Sequence, residues 1–344
     1  MKILKKIFII LMVSLVFPSE RCFGFSMADK LLKGHKGDYI VTEQDKNYSI
    51  LIIRSNSEDS FILEEIAVPN SSVSRKTEWK KWVSEGGHVS WVMYEIDKST
   101  YSLIESYSFT LRGWLFLNDS EHFLSRLLSL NLQKVSDELR KKTGPAPHGD
   151  EVDRRKTWNP IVIFEGTKVK LECEAWKGQW PKDGSLLSEC DIQVYFNKQQ
   201  NGFCFPYWIE ASNGHYTYAI KTIDSGKNLA SPIQNSIPHR PPKIQSITKS
   251  KNAVNFTIRS PRYHKNFTLF CFDVMKPHEK LGPITSTLKQ GEEKEISILS
   301  ASNEDLSKYL IPGHRYKWIL KPENSELFIT ESEDFFLWPS IASK

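Results

Sequence analysis

The sequence of 344 residues has no long apolar run outside its amino terminus. A membrane-spanning helix needs about 20 consecutive apolar residues, and no segment after residue 28 approaches that length. The last residues, 339–344, carry no hydrophobic anchor signal. We therefore expect no stable membrane span in the mature chain.

Blocks of like charge are also missing. Positive and negative side chains are interspersed along the chain, and the formal net charge is only +5. If residues 1–28 are removed as a signal peptide, the chain loses four positive charges and one negative charge, and its net charge falls to +2. This balance excludes nucleic-acid binding through bulk electrostatics, and we predict no nucleic-acid partner.

The familiar signatures of catalytic and cofactor-binding sites are absent as well. The sequence contains no nucleophile elbow, zinc-protease helix, phosphate-binding glycine loop or dinucleotide fingerprint. It has no Cys-x-x-Cys pair, which argues against a zinc site. We predict no metal and no cofactor, and we assign no catalytic residue.

One triplet, Asp224-Ser225-Gly226, has the composition of the active-site loop of aspartic proteases. In those enzymes the triplet follows an apolar stretch, whereas here Lys221 and Thr222 precede it and Lys227 follows it. No second copy of the triplet is present. We interpret it as a turn, because all three residues favour turns.

What the amino terminus does contain is an export signal. Three lysines occur among the first six residues and are followed by the apolar run Ile7–Phe17 and a short polar stretch. This order is typical of a secretory signal peptide, and the lysine-rich start is of bacterial type. An uncleaved anchor or a buried helix is the alternative. We expect the protein in the periplasm or outside the cell.

The two predicted cleavage points have small side chains at the third and the first positions before the cut. Gly24 and Ser26 form one pair, and Ser26 with Ala28 forms the other. Alanine favours the second pair, so we predict a signal peptide of residues 1–28. Cys22 is not a lipoprotein site, because residues 19–21 lack the small apolar side chains that lipidation needs.

The first part of the mature chain, residues 29–145, has the patterns of an α+β domain. The spacing of Trp79 and Trp82 predicts a short helix over 77–84. A leucine-rich stripe predicts a long helix from Asn118, with Glu121 in a capping box, to beyond Leu139. Strands are predicted at 38–42, 48–54, 61–68, 88–96 and 101–109.

The remainder of the chain reads as β-structure. A polar linker is predicted at 146–157, followed by an all-β domain at 158–238, in which Asn213-Gly214 marks a hairpin. Two prolines, Pro241-Pro242, open a third unit that we place at 239–340. Strands in this unit are predicted at 243–248, 253–259, 267–274, 284–288, 292–299, 315–321 and 327–330. Their number and spacing favour a β-sandwich.

A family resemblance becomes specific near the end of this third unit. Leu310 and the turn Pro312-Gly313 precede Tyr316. This arrangement resembles the corner before strand F of fibronectin type III modules, in which the tyrosine hydroxyl bonds back to the corner. The resemblance implies a sandwich used in binding or spacing. Because the early strands carry no Trp, a more general immunoglobulin-like sandwich is the alternative.

Four cysteines remain after removal of the signal: Cys173, Cys190, Cys204 and Cys271. An even number in an exported chain favours disulfides, and three of the four lie in the middle domain. Cys173 with Cys190 is the preferred bridge, with Cys204 as the third candidate. The alternative is that the thiols are free and buried.

Two tryptophans in a loop-like stretch, Trp176 and Trp180, are the candidate contacts to a ligand or a partner. Exposed indoles stack on sugars and anchor protein partners. The alternative is that one belongs to the core and lysine stems shield the other.

Together these patterns predict a multi-domain, mainly β protein with an N-terminal α+β domain and two antiparallel β-sandwich-like domains. The predicted function is that of an exported, non-enzymatic envelope protein with a protein-binding or spacer role. Its partner is another envelope or extracellular protein, or a glycan. The alternative is an exported enzyme or carbohydrate-binding protein with a site in the N-terminal domain or near Trp176 and Trp180.

Overall fold

A computed structural model describes most of the chain. The described residues are 25–339 except for 116, 118–122, 149–151, 200–202, 216, 234–236, 262, 263, 265, 294, 323–329, 333 and 334. The fold is mainly β with several antiparallel sheets, which confirms the predicted class. Among the described residues, no helix is long and apolar enough to cross a membrane. Residues 1–24 of the predicted signal peptide lie outside the described residues.

The first two thirds of the described chain contain three short helices and a series of strands. In chain order the elements are β1 (Phe25–Ser26), α1 (Met27–Leu31), β2 (Tyr39–Gln44), β3 (Asn47–Asn56), β4 (Ser60–Pro69), α2 (Trp79–Ser84), β5 (Ser90–Asp97), β6 (Leu103–Ser108), β7 (Gly113–Leu115), α3 (Phe123–Ser129), β8 (Asn131–Lys134), β9 (Val162–Phe164), β10 (Thr167–Val169), β11 (Cys173–Gln179), β12 (Asp191–Asn197), β13 (Trp208–Ser212) and β14 (Thr217–Gly226).

Twelve of these strands form one antiparallel sheet within the described residues, in the order β1-β8-β11-β12-β13-β14-β2-β3-β4-β5-β6-β7. Strands β9 and β10 pair separately. Strands from both sides of the linker predicted at 146–157 belong to this one sheet. Strand β14, which follows the linker, pairs with β2, which precedes it, in a register that includes Thr222 with Thr42. The alternation of apolar and polar residues shows which side chains share a face of a strand, but it does not show which other strand pairs with it. The pairing of β14 with β2 therefore could not be predicted from local sequence patterns.

The sheet buries side chains on both faces in its central strands. One face, here called the pocket face, carries Ile40 opposite Leu51 and Leu63 opposite Tyr94. Helices α1 and α3 contribute to the same hydrophobic cluster as this face. The other face, here called the α2 face, includes Ile50 and is covered by α2, whose Trp79 is buried.

The prediction of a long helix that continues beyond Leu139 is wrong after Ser129. Helix α3 ends at Ser129, and the chain continues as strand β8, in which Leu132 pairs with Phe25. Leu132 and Val135 are buried as predicted, but strand pairing with β1 and β11 rather than a helical stripe places them. Tertiary pairing thus overrides the local helical spacing. The predicted cap at Asn118 and Glu121 lies outside the described residues.

Two smaller features also differ in detail. The short helix α2 is confirmed at Trp79–Ser84, and its N-cap residue Glu78 makes no side-chain cap bond. The predicted turn at Asp224-Ser225-Gly226 is wrong, since these residues end β14 and pair with β2. The hairpin predicted at Asn213-Gly214 is confirmed between β13 and β14.

The last part of the chain forms two facing sheets. Its elements are β15 (Lys243–Lys249), β16 (Ala253–Arg259), β17 (Phe267–Asp273), β18 (Lys280–Ile284), β19 (Thr287–Gln290), β20 (Ile296–Ser302), α4 (Asn303–Ser307), β21 (Arg315–Pro322), β22 (Thr330–Glu331) and β23 (Phe336–Leu337). One sheet has the order β15-β16-β20-β19, and the other has the order β18-β17-β21-β22 with β23 also on β21. A separate core lies between them and includes Phe256 and Trp318.

The corner before β21 has the geometry that the sequence predicts. The hydroxyl of Tyr316 accepts a hydrogen bond from the backbone N–H of Ile311 at 2.7 Å. Leu310 is buried, and Pro312 and Gly313 form the turn, with Gly313 at φ +84°. Glycine adopts such a left-handed conformation without the steric cost of a side chain.

Candidate functional site

A cavity of about 380 Å³ lies on the pocket face between the sheet and helices α1 and α3. Its volume falls within the range of about 300 to 1,000 Å³ that small-molecule sites occupy. Most of its lining is apolar and comes from both the helices and the strands, with Met27, Leu31, Leu124, Ile40, Leu51 and Ile209 among the contributors.

The helices present their apolar sides to this cavity because of their local sequence. Ser26 caps α1 by accepting the N–H of Asp29, while the Asp29 carboxylate accepts the N–H of Ser26. This reciprocal capping box fixes where α1 begins. Met27 and Leu31 then follow at the i, i+4 spacing, which places both on the side that faces the cavity.

The charged side chain in the lining of the cavity is that of Glu65. Its carboxylate accepts hydrogen bonds from the hydroxyl of Ser49 at 2.5 Å and from the hydroxyl of Tyr94 at 3.0 Å. Thr42 and Gln44 add further polar atoms to the lining. Among the described residues, the lining of this mainly apolar cavity therefore contains a single carboxylate, which accepts hydrogen bonds from two hydroxyl groups.

Burial affects the tyrosines around this cavity. Desolvation, with the nearby charge of Glu65, raises the pKa of Tyr94 well above its usual value. Desolvation and the charge of Asp45 raise the pKa of Tyr218 to about 12. Both hydroxyls therefore stay protonated near neutral pH, and Tyr94 remains a donor to Glu65. The cavity can thus bind an apolar body and direct its polar head toward a carboxylate.

A larger groove of about 850 Å³ runs beside β8, β11, β12 and β13. Its lining includes the exposed side chains of Lys134, Lys177 and Asp191. Ligand sites of proteins are usually mainly apolar with a few convergent polar groups. The smaller cavity at Glu65 fits that description better than this groove.

A second cluster of ionisable groups lies on the α2 face. Glu95 and Glu105 are directly opposite each other on β5 and β6, and both are buried. His239, from the segment that leads to β15, places its Nδ1 2.9 Å from Glu105 Oε1 and 3.9 Å from Glu95 Oε2. Ser60 donates to Glu95, and the backbone N–H of Arg240 donates to Glu105.

This cluster brings two buried carboxylates together, which is unfavourable unless a positive charge lies between them. The imidazole of His239 lies within 4 Å of an oxygen of each carboxylate. One ligand atom from each of Glu95, Glu105 and His239 lies within 4.8 Å of the others, so these residues also have the donor types of a zinc or manganese site. We interpret the cluster as an ion-pair anchor for the segment between β14 and β15.

The same segment contacts a second buried carboxylate on the α2 face. Ser231 donates a hydrogen bond of 3.1 Å to Glu64, and Arg54 Nε lies 3.6 Å from the same oxygen. Desolvation nevertheless raises the pKa of Glu64. The segment that joins the large sheet to the C-terminal sandwich is therefore held to the sheet at two points.

The structure packs both predicted contact tryptophans. Trp180 is buried, stacks on Phe123 with ring centroids 5.5 Å apart, and donates its indole N–H to Asp183 at 2.9 Å. Trp176 is half-buried against Phe25, with ring centroids 4.5 Å apart, and Lys134 lies over its ring. These contacts agree with the alternative that one tryptophan belongs to the core and a lysine stem shields the other.

The predicted bridge between Cys173 and Cys190 is not formed: the four described cysteines are buried, and none of them takes part in a disulfide. Cys173 begins β11 and pairs with Asn197, whereas Asp191, next to Cys190, pairs with Gln179 at the far end of the same ladder. The two cysteines thus lie at opposite ends of a seven-residue ladder. A disulfide requires Cα atoms within about 7 Å. Cys204 lies instead against Asp38, with 3.8 Å between Sγ and Oδ2.

Sequence reasoning missed Glu65, Glu95, Glu105 and His239. A usable signal was present, because Glu64-Glu65 interrupts the apolar strand β4 and Glu95 lies between Tyr94 and Ile96. Charged residues in the middle of an apolar strand are buried only when they find partners. The partner His239 lies 134 residues from Glu105, so no local pattern connects them.

Comparisons with known proteins add a family match over part of the chain. A family model described as CT021 protein matches residues 49–170. The structure of the hypothetical protein CT021 from Chlamydia trachomatis is 22% identical and has a TM-score of 0.48. That match covers 63% of this chain and 100% of the other. No curated protein matches the sequence.

Proposed function

We propose that the protein is an exported, non-enzymatic envelope protein that binds a small amphipathic molecule in the cavity at Glu65. Its C-terminal sandwich, a module of the fibronectin type III or immunoglobulin-like kind, acts as a protein-binding unit or a spacer. The partner of this module is another envelope or extracellular protein, with a glycan as the alternative. The signal pattern before residue 28 supports export.

The observation that carries the ligand proposal is that Glu65 is the single carboxylate among the described residues that line a mainly apolar cavity. A carboxylate accepts about four hydrogen bonds, and Ser49 and Tyr94 account for two of them. The remaining capacity suits a head group that donates hydrogen bonds, above all a cation. The apolar lining suits a hydrocarbon body, so an alkylammonium is the chemical class that fits both the carboxylate and the lining.

Exposed apolar side chains support a protein-binding role for the sandwich. Ile311, Phe335 and Leu337 are all about half exposed. Leu337 pairs with Arg315 at the start of β21, and Ile311 precedes the same strand, which brings both to one end of the sandwich. Exposed large apolar residues at one place favour contact with a protein partner.

The ligand proposal is tested by calorimetric titration of the mature protein with octylammonium and, as the matched anionic probe, octyl sulfate. We expect octylammonium to bind about tenfold or more tightly than octyl sulfate, because a hydrogen bond to a charged group contributes about 1.5–3 kcal/mol. Glu65→Gln should remove this preference. Equal affinities for the two probes, or no binding of either, would contradict the proposal.

A matched control for Glu65→Gln is Glu58→Gln, in the exposed turn between β3 and β4. This substitution removes the same charge without touching the cavity. It should leave the preference for octylammonium unchanged. If both variants lost the preference equally, overall charge rather than the cavity would explain it.

A further inference from the structure

The first described residues belong to the folded core. Strand β1 pairs with β8, with Phe25 opposite Leu132 and Ser26 opposite Asn131. The Phe25 ring packs on Trp176 with centroids 4.5 Å apart and meets Phe196 edge-on at 6.0 Å. These residues therefore form one edge of the twelve-stranded sheet.

The next residues are as deeply integrated. Met27, Ala28 and Leu31 are at most 2% exposed. Ser26 provides the side-chain cap of α1, and Lys30 lies 3.5 Å from Glu174. A cut after Ser26 removes β1 and the cap. A cut after Ala28 additionally removes two buried side chains, one of which, Met27, lines the cavity.

The sequence offers another cleavage point that spares all of these contacts. Signal peptidases require small side chains at the third and the first positions before the cut. Cys22 and Gly24 meet this requirement for a cut between Gly24 and Phe25. That cut lies directly before the first residue of β1.

We infer that the exported chain is processed between Gly24 and Phe25, and that the mature protein begins at Phe25. A signal peptidase hydrolyses this peptide bond with one water, which leaves a carboxyl group on Gly24 and an amino group on Phe25. The inference rests on the proposed export. It places the cut four residues before the predicted one after Ala28, because that later cut would remove Met27, which lines the cavity.

The direct test is expression of the full chain in a bacterial host, recovery of the exported protein, and amino-terminal sequencing with intact mass measurement. We expect a protein that begins at Phe25. A start at Met27 or Asp29 would overturn the inference while leaving export intact. An uncut chain retained in the cytoplasm would instead contradict export itself.

A pair of variants distinguishes this cut from the two later ones. Cys22→Trp places a bulky side chain three residues before the proposed cut but outside the critical positions of the later cuts. We expect the precursor to accumulate at least several-fold. The matched control Phe23→Trp changes only the position between the two critical ones, and it should be processed normally. Normal processing of Cys22→Trp would overturn the inference.

Stability provides an independent readout. A chain that begins at Asp29 should melt at least about 5 °C below one that begins at Phe25, or should not fold, because it lacks β1, the α1 cap and two buried side chains. Circular dichroism melts of the two chains measure this difference. Equal melting temperatures would show that residues 25–28 are dispensable and would overturn the inference.

Discussion

His239 Nδ1 lies 2.9 Å from Glu105 Oε1, so the segment that leads to the C-terminal sandwich is paired with a buried carboxylate of the large sheet. Glu105 lies directly opposite Glu95 on the neighbouring strand. Glu95 also accepts a hydrogen bond from Ser60, and Glu105 accepts one from the backbone N–H of Arg240. This cluster is therefore one place where the segment is held to the sheet, and Glu64 with Ser231 is another.

Replacement of His239 should therefore be costly. His239→Ala is expected to lower the free energy of unfolding by about 3 kcal/mol, because it removes the imidazole that contacts two buried carboxylates. Urea denaturation followed by circular dichroism measures the change. His278→Ala, on an exposed turn of the sandwich, is the control and should change stability little. Equal stability of both variants would contradict the role of the cluster.

Glu64 gives a dependence on pH. Burial raises the pKa of Glu64 in the folded state, so the folded protein holds this proton more tightly than the unfolded chain. The protonated Glu64 carboxyl group therefore contributes to the stability of the fold below the pKa that it has in the unfolded chain. This contribution is lost as the pH rises through the pKa that Glu64 has in the folded protein. Glu64→Gln cannot ionise. Its free energy of unfolding relative to wild type should therefore rise between pH 4 and pH 8.

Chemical denaturation at several pH values measures this trend. The matched control is Glu58→Gln at an exposed position, and its difference from the wild type should change less over the same range. A constant difference for Glu64→Gln would mean that Glu64 titrates alike in the folded and unfolded chains.

Strand positions could be predicted well from local patterns, whereas partners could not. The alternation of Tyr48, Ile50 and Ile52 predicts β3, which the structure contains at Asn47–Asn56. Nothing in that pattern shows that β14 is the strand that closes against β2. A period of two residues shows which side chains lie on the same face of a strand. Which strand pairs with which depends on the whole fold.

The candidate cavity illustrates a second limit. Leu124 and Leu127 follow a helical spacing that the sequence shows, and they do line the cavity. Glu65 is recognisable only as a charge within an apolar strand. Its two donors, Ser49 and Tyr94, lie 16 and 29 residues away and meet it through strand register. Sequence patterns predicted the apolar walls but not the carboxylate.

The tyrosine at the sandwich corner makes a separate prediction. Tyr316→Phe removes the acceptor of the Ile311 N–H in a buried setting, which should cost about 1–3 kcal/mol. Urea denaturation compares it with the control Tyr309→Phe, whose hydroxyl makes an exposed bond of 3.3 Å to Pro283. The control should lose less. A larger loss for the control would argue against the corner as a stabilising feature.

The four buried cysteines lead to the last prediction. Desolvation raises the pKa of Cys173 to about 11 and that of Cys271 to about 12, so both thiols are neutral at pH 8. Neutral, buried thiols react slowly, since the thiolate is the nucleophile. The mature protein, kept without reductant, should show almost no reaction with Ellman's reagent when folded and four thiols in urea. Two thiols in urea would instead reveal a disulfide, and mapping of the linked peptides would identify it.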